Sequence, residues 1–277
     1  YLYVNLNAVH YNTSQLTLFQ SNFVETMDVP TQLHIVRVGL NYKFGEASAA
    51  NDAYAMAAPA AVNWTGLYAG AHFGGALGKT RAHESDTEVE PGAGNWNAFG
   101  DTFDGKTSGV VGGMQAGYNW QWSSIVTGVE ADLGYLGFKG QGSSSLASDT
   151  LVSGTGGAYA TVRGRLGYAW DRALLYATGG LIVADLGTSV NDNGFPLATP
   201  GIIYTDKTKF QAGWTVGGGV EYALAHGWSV KGEYLHFDLG SKRVFGLQEN
   251  FGPPNTFAWD IKNTGDMVRV GFNKNIY

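Results

Sequence analysis

Cysteine is absent from this 277-residue chain. That excludes disulfides, thiolate metal sites and a cysteine nucleophile, and it suits export through an oxidising compartment. Proline is scarce at 7 residues, so no Pro-rich linker or collagen-like tract is present. An excess of basic charge is lacking too: the net charge is -6 and the pI about 5.4. This removes nucleic acid as a partner, because neutralising phosphates takes a basic face. No apolar run approaches the roughly 20 residues of a membrane-spanning helix. A chain of this kind can cross a membrane only as a closed barrel, in which strand pairing satisfies every backbone polar group. The mean hydropathy of -0.11 is compatible with that, since a barrel strand sets only alternate residues against lipid.

What is abundant is glycine, with 41 residues, and aromatic side chains, at 13%. The glycines alternate with apolar and aromatic residues, which points to strands. Period-2 alternation bounded by turn residues marks eight segments, roughly 64–78, 108–122, 125–138, 159–170, 173–186, 209–223, 227–239 and 265–277. Short links, Ser123-Ser124, Asp171-Arg172 and Ala225-His226-Gly227, join three of the pairs. The other connections are expected to be long loops rich in Gly, Ser, Asn and Asp, as at 81–106 and 241–264. Short turns on one side and long loops on the other are the asymmetry of outer-membrane barrels.

The two faces of the strands differ in chemistry. In 108–122, Met114, Ala116, Tyr118, Trp120 and Trp122 share the face suited to lipid, and Gly113, Gln115, Gly117, Asn119 and Gln121 the face suited to a polar lumen. The same phase elsewhere collects Glu130, Asp132, Arg163, Arg165, Glu221, Lys231, Glu233 and Arg269 as inward charges. Unpaired charges in a narrow lumen are costly, so these are expected to pair into a structural network. Gly70, Gly113, Gly164 and Gly217 are read as inward glycines that leave room for long side chains. Between 174 and 185 both phases are apolar and the face is undetermined. Trp120, Trp122, Tyr168, Trp170, Tyr222 and Trp228 lie beside short turns and are expected to form an interfacial girdle on the periplasmic side.

An internal repeat precedes these segments. Val36-Arg37-Val38-Gly39-Leu40-Asn41 recurs as Val268-Arg269-Val270-Gly271-Phe272-Asn273, and Tyr1-Leu2 and Leu6 correspond to Tyr234-Leu235 and Leu239. Residues 1–45 therefore read as a second copy of a barrel's terminal hairpin, 46–62 as an Ala-rich linker and 63–277 as the barrel. Three origins compete for the copy: the end of a preceding barrel in a tandem protein, two extra strands of a ten-stranded barrel, or a fragment. The first is favoured, because a lone hairpin is marginally stable and exposes its edges. The sequence starts at Tyr1 without an initiator Met or a signal peptide, which is read as processing or as a fragment.

Several motifs in register carry a family resemblance: Asn63-Trp64-Thr65-Gly66-Leu67-Tyr68-Ala69-Gly70, Gly109-Val110-Val111-Gly112-Gly113 with Gly117-Tyr118-Asn119-Trp120-Gln121, and Leu174-Leu175-Tyr176-Ala177-Thr178-Gly179-Gly180. Over 63–277 the chain resembles the opacity-type outer-membrane proteins of α-proteobacteria, the 25 and 31 kDa immunogenic surface proteins and their rhizobial relatives. The resemblance implies an all-β, eight-stranded antiparallel up-and-down transmembrane barrel. It also implies delivery by the β-barrel assembly machinery, which reads a terminal aromatic such as Tyr277; Phe44 has the same character. Expected partners are outer-membrane lipid and lipopolysaccharide, with loops open to host or phage.

Enzymatic chemistry finds little support. His83-Glu84-Ser85 contains the residue types of a triad, but neighbours in sequence do not converge on one atom, and the segment reads as a solvated loop. Glu130 and Asp132 share a face and could serve acid–base chemistry, yet with Arg163 and Arg165 opposite an ion network is favoured. The histidines lack ligand spacing, so no metal or other cofactor is expected. The resemblance allows His83 or His236 as a haem ligand, the weakest reading. Lys139, Lys207, Lys209, Lys242, Arg243 and Lys262 fall near outer strand ends, where they read equally as solvated rim charges or as contacts to lipopolysaccharide phosphates. Two functions are carried forward: a surface-interaction barrel with a filled lumen, and a porin-like small-solute channel.

Overall fold

The computed structural model describes residues 2–14, 24–35, 62–84, 102–143, 150–192, 202–204, 210–248 and 255–276. It divides into two compact units, Tyr1–Ala55 and Met56–Tyr277. In the first, β1 (Leu2–Ser14) pairs antiparallel with β2 (Val24–Ile35). Leu2 stands opposite Ile35, Tyr3 opposite His34 and Val4 opposite Leu33. Carried through the sequence repeat, these pairs become Leu235 with Met267, His236 with Asp266 and Phe237 with Gly265, which are the pairs formed in the second unit. Phe44 and the repeated segment 36–41 lie outside the described residues, as does Tyr277.

The second unit is built from β3 (Gly66–Glu84), β4 (Thr102–Trp122), β5 (Ile125–Leu136), β6 (Lys139–Ser143), β7 (Thr150–Thr155), β8 (Ala158–Trp170), β9 (Ala173–Ala184), β10 (Gly187–Asp192), β11 (Ile202–Tyr204), β12 (Gln211–Ala223), β13 (Trp228–Gln248) and β14 (Asn255–Ile276). Eight of them, β3-β4-β5-β8-β9-β12-β13-β14, form a closed antiparallel ring. Closure is made by β14 on β3, from Ile276 opposite Leu67 to Trp259 opposite Glu84. No sheet edge is left in the ring, so every strand there has two partners.

The short turns fall where the period-2 reading places them. Ser123, Asp171 and His226 take positive φ values of 54°, 53° and 59° there, which lets the chain reverse within two or three residues. A bulge interrupts β13 between Asp238 and Ser241. Gly240 occupies it with φ 69°, a conformation costly for any residue with a Cβ.

The strands run further than sequence periodicity indicates. The stretches 81–106 and 241–264 are not loops throughout: β3 continues to Glu84, β4 begins at Thr102, β13 reaches Gln248 and β14 starts at Asn255. At roughly 3.3 Å per residue, the 22 residues of β14 cover about 70 Å, well beyond the 9–11 residues that cross a bilayer. Above the ring, β4 pairs with β6, β6 with β7, β7 with β10 and β10 with β11, while β11 lies against β13. Apolar burial supports this outer storey: Ala82, Phe103, Val152, Val190, Val244, Trp259 and Ile261 pack as one cluster.

Inside and outside separate by residue parity. Phe73, Leu77, Val110, Met114, Leu133 and Val162 are exposed on the outer face, as a lipid-facing band requires. In β9 the undetermined face is resolved: Leu174, Tyr176, Thr178 and Ile182 are buried, and Leu175 and Leu181 face out. Gly164 is not inward as expected. Arg163 and Arg165 claim the interior, and the residue between them must point out.

Candidate functional site in the barrel interior

The interior is layered. Beside the short turns, Trp64, Val126, Leu174, Tyr176 and Ala223 form an apolar floor. Above it lie the eight charged residues, all buried. Next comes a mainly apolar tier that includes Val111, Leu136, Phe138, Ile182, Leu235, Phe237 and Met267. A band of Thr80, Thr107, Gln211 and Asn263 separates that tier from the outer cluster. The uniformly polar lumen expected from the alternation is therefore interrupted by apolar layers, which reach the interior by the same parity as the charges.

The charged layer is continuous. Arg163 on β8 donates to Glu130, to Asp132 at 2.8 Å and to Glu233 at 3.2 Å. Arg269 on β14 donates to Glu233 at 2.6 Å and to Asp132 at 2.9 Å. Lys231 on β13 reaches both oxygens of Glu130, at 2.9 and 2.8 Å. Arg165 donates to Glu221 at 2.7 Å and stacks over the Tyr176 ring, 4.1 Å from its centroid.

Neutral groups complete the layer. Tyr68 donates to Glu130 at 2.8 Å and Tyr176 to Glu233 at 2.8 Å. Ser229 and Asn273 donate to Glu221 at 2.6 and 2.8 Å. Asn273 in turn accepts from Gln115, which contacts His72, and His72 contacts Tyr159 at 2.6 Å. Through Tyr68, Gln115, Glu130, Arg163, Tyr176, Glu221, Lys231 and Arg269, each of the eight ring strands contributes a side chain. Four acids meet four bases, so paired charge replaces the water that a buried ion gives up.

Phase in the sequence marks the eight charges and Gln115 as inward, but leaves Tyr68, His72, Tyr159 and Tyr176 unmarked. Their signal is the same parity, read for hydrogen-bonding groups rather than formal charge. Glu130 and Asp132 both pair with cations, Asp132 through Oδ2 alone, its Oδ1 being buried without a hydrogen-bond partner.

The six aromatic residues beside the short turns lie on the outer surface, with Trp122, Tyr168 and Trp170 the most exposed of them. Trp120 packs on Tyr118 with ring centroids 4.8 Å apart, and Lys274 sits over the Trp228 ring. His83 falls at the end of β3 rather than in a loop, exposed and 2.8 Å from Thr102 Oγ1. Ser85 lies outside the described residues, as do Lys207 and Lys209. His236 faces outward and contacts Asp266 at 2.9 Å, which Tyr234 also reaches at 2.6 Å. Among the described residues no group of three metal-ligating side chains converges.

Comparison with known proteins agrees with this architecture. The outer membrane protein beta-barrel domain matches residues 46–271. The chain is 37% identical over 223 residues to the 31 kDa outer-membrane immunogenic protein of Brucella melitensis, covering 76% of this chain and 83% of that one. It is 35% identical over 154 residues to the 22 kDa outer membrane protein of Rhizobium leguminosarum bv. viciae, covering 54% and 63%. Among solved structures, the outer membrane protease OmpT of Escherichia coli matches with 10% identity and a TM-score of 0.46, over 76% of this chain and 97% of that one.

Proposed function

The chain belongs to the outer membrane protein beta-barrel family and is an integral outer-membrane protein, and from that premise we propose that it is a structural and surface-interaction barrel closed by its own side chains. The observation that carries the reading is the pairing of eight buried charges across the lumen, backed by an apolar tier. A hydrated path would have to break several charge-assisted bonds at once and then wet an apolar constriction. An eight-stranded ring encloses an interior about wide enough for side chains alone.

In this reading the aromatic band of Trp120, Trp122, Tyr168, Trp170, Tyr222 and Trp228 marks the periplasmic interface. The outer storey lies at the end of the barrel away from the short turns, where host or phage surfaces can meet it. The relatives named as immunogenic support a surface role. Residues 1–45 are read as a duplicate of a barrel's terminal hairpin, since their strand register repeats that of β13 with β14. The assembly machinery is the expected partner in biogenesis.

Folded full-length protein inserted into planar bilayers tests the closed lumen. The expected record is silent at moderate salt. Steady single-channel steps from demonstrably folded protein would refute the reading and favour a small-solute channel.

A further inference from the structure

On the outside of the barrel, two pairs of like charges face each other across neighbouring strands. Lys79 on β3 stands opposite Lys106 on β4, and Arg81 on β3 opposite Lys262 on β14. All four side chains are exposed on the outer face. Residues directly opposite in an antiparallel pair have Cβ atoms roughly 4.5–5.5 Å apart, and like charges there destabilise the sheet.

Nearby acids do not balance the group. Asp104 alone serves Lys79, at 2.8 Å, and Arg81, at 3.0 Å, while Asp238 takes Lys262 at 2.9 Å. Lys106, and Lys139 opposite Ser108 on the adjoining strand pair, have no ion-pair partner among the described residues. Lys79, Arg81, Lys262 and Thr264 line a shallow recess of about 240 Å³. Strand pairing that opposes itself twice at one height is relieved by a polyanion.

The height identifies the anion. On β3 the outward residues from Leu67 to Leu77 are apolar or small. That stretch is about 34 Å of strand, or about 26 Å along the membrane normal at a tilt near 40°, and it matches a lipid-facing band of about 25 Å. Lys79 is the next outward residue, so the cluster begins where acyl chains give way to headgroups.

We propose that Lys79, Arg81, Lys106 and Lys262 bind the phosphate groups of a bis-phosphorylated glycolipid of the outer leaflet. The guanidinium of Arg81 can grip a phosphate bidentately, and the three ammonium groups act as point charges around it. Asp104 tethers Lys79 and Arg81, and the Arg81 hydrogen bond holds its carboxyl below the usual carboxylate range, keeping it charged. The inference rests on the outer-membrane placement and is independent of whether the lumen conducts.

The test uses folded full-length protein in uncharged detergent, with native mass spectrometry of bound lipid A carrying two phosphates and of the same lipid dephosphorylated. Wild type is expected to prefer the phosphorylated form by roughly tenfold or more. Lys106→Glu turns a like pair into an opposite pair. It is expected to raise the lipid-free unfolding midpoint while weakening phosphorylated lipid binding by roughly tenfold. A merely structural cluster would not move the two readouts in opposite directions.

Equal binding of the two lipids, or unchanged binding by Lys106→Glu, would overturn the site. Inorganic phosphate competing at the same affinity would overturn the lipid as its occupant. Binding abolished by chelating magnesium would overturn direct contact. Folded, inserted protein without phosphate discrimination breaks this inference and leaves the outer-membrane placement standing.

Discussion

The layer around Glu130 and the tier around Ile182 face the same lumen from the same strands, yet one holds eight formal charges and the other none. Both pack inside the ring, but by different physics. The apolar tier needs only shape and exclusion of water, and it tolerates modest changes of volume. The charged layer needs every partner in place, because each ion there has lost its hydration and is stabilised only by named neighbours. Around a closed ring this difference has a structural consequence. Hydrogen bonds of fixed geometry tie strands distant in sequence, such as β5, β8 and β14 through Asp132, Arg163 and Arg269.

The sharpest break of the comparison is Arg163→Ala, which leaves Glu130, Asp132 and Glu233 short of a common partner. It is expected to cost about 3–5 kcal/mol, read from urea unfolding of the protein in a bilayer. A loss below about 1 kcal/mol would mean that water enters the layer and solvates the acids. In the apolar tier, Ile182→Val removes one methylene from a fully buried side chain and should cost about 0.5–1.5 kcal/mol. If it matched Arg163→Ala, the distinction between the layers would fail.

The smallest effect belongs to the exposed collar, where Arg81 and Lys79 hold Asp104. Its folded-state pKa is lowered, so the contact contributes stability above the unfolded carboxylate value near 3.9. That contribution is lost as pH falls through the folded value. Amide exchange at the outer ends of β3 and β4 should therefore accelerate slightly on acidification, and Asp104→Asn should remove the dependence.

Much of this is legible in the sequence. The turn at Asp171-Arg172 and the alternation Met114-Gln115-Ala116 each report local geometry, because a strand turns its side chains over at every residue. Glu130 and Arg163 announced the interior, since neither belongs against lipid. The outer ends of the strands were hidden. Gly, Asp, Thr, Ser and Lys at 100–108 look like a loop until Phe103 is seen to meet Trp259 edge-on, 5.7 Å between centroids.

By itself, then, the sequence determined the strand period, the short turns and the parity of the charged positions, all of which follow from backbone geometry and the cost of placing a charge in lipid. Tertiary structure alone decided which face of 173–184 is interior, where β14 closes on β3, and that Lys79 would stand against Lys106. Those outcomes depend on residues brought together from distant parts of the chain, and no local pattern encodes a partner that only the closed ring supplies.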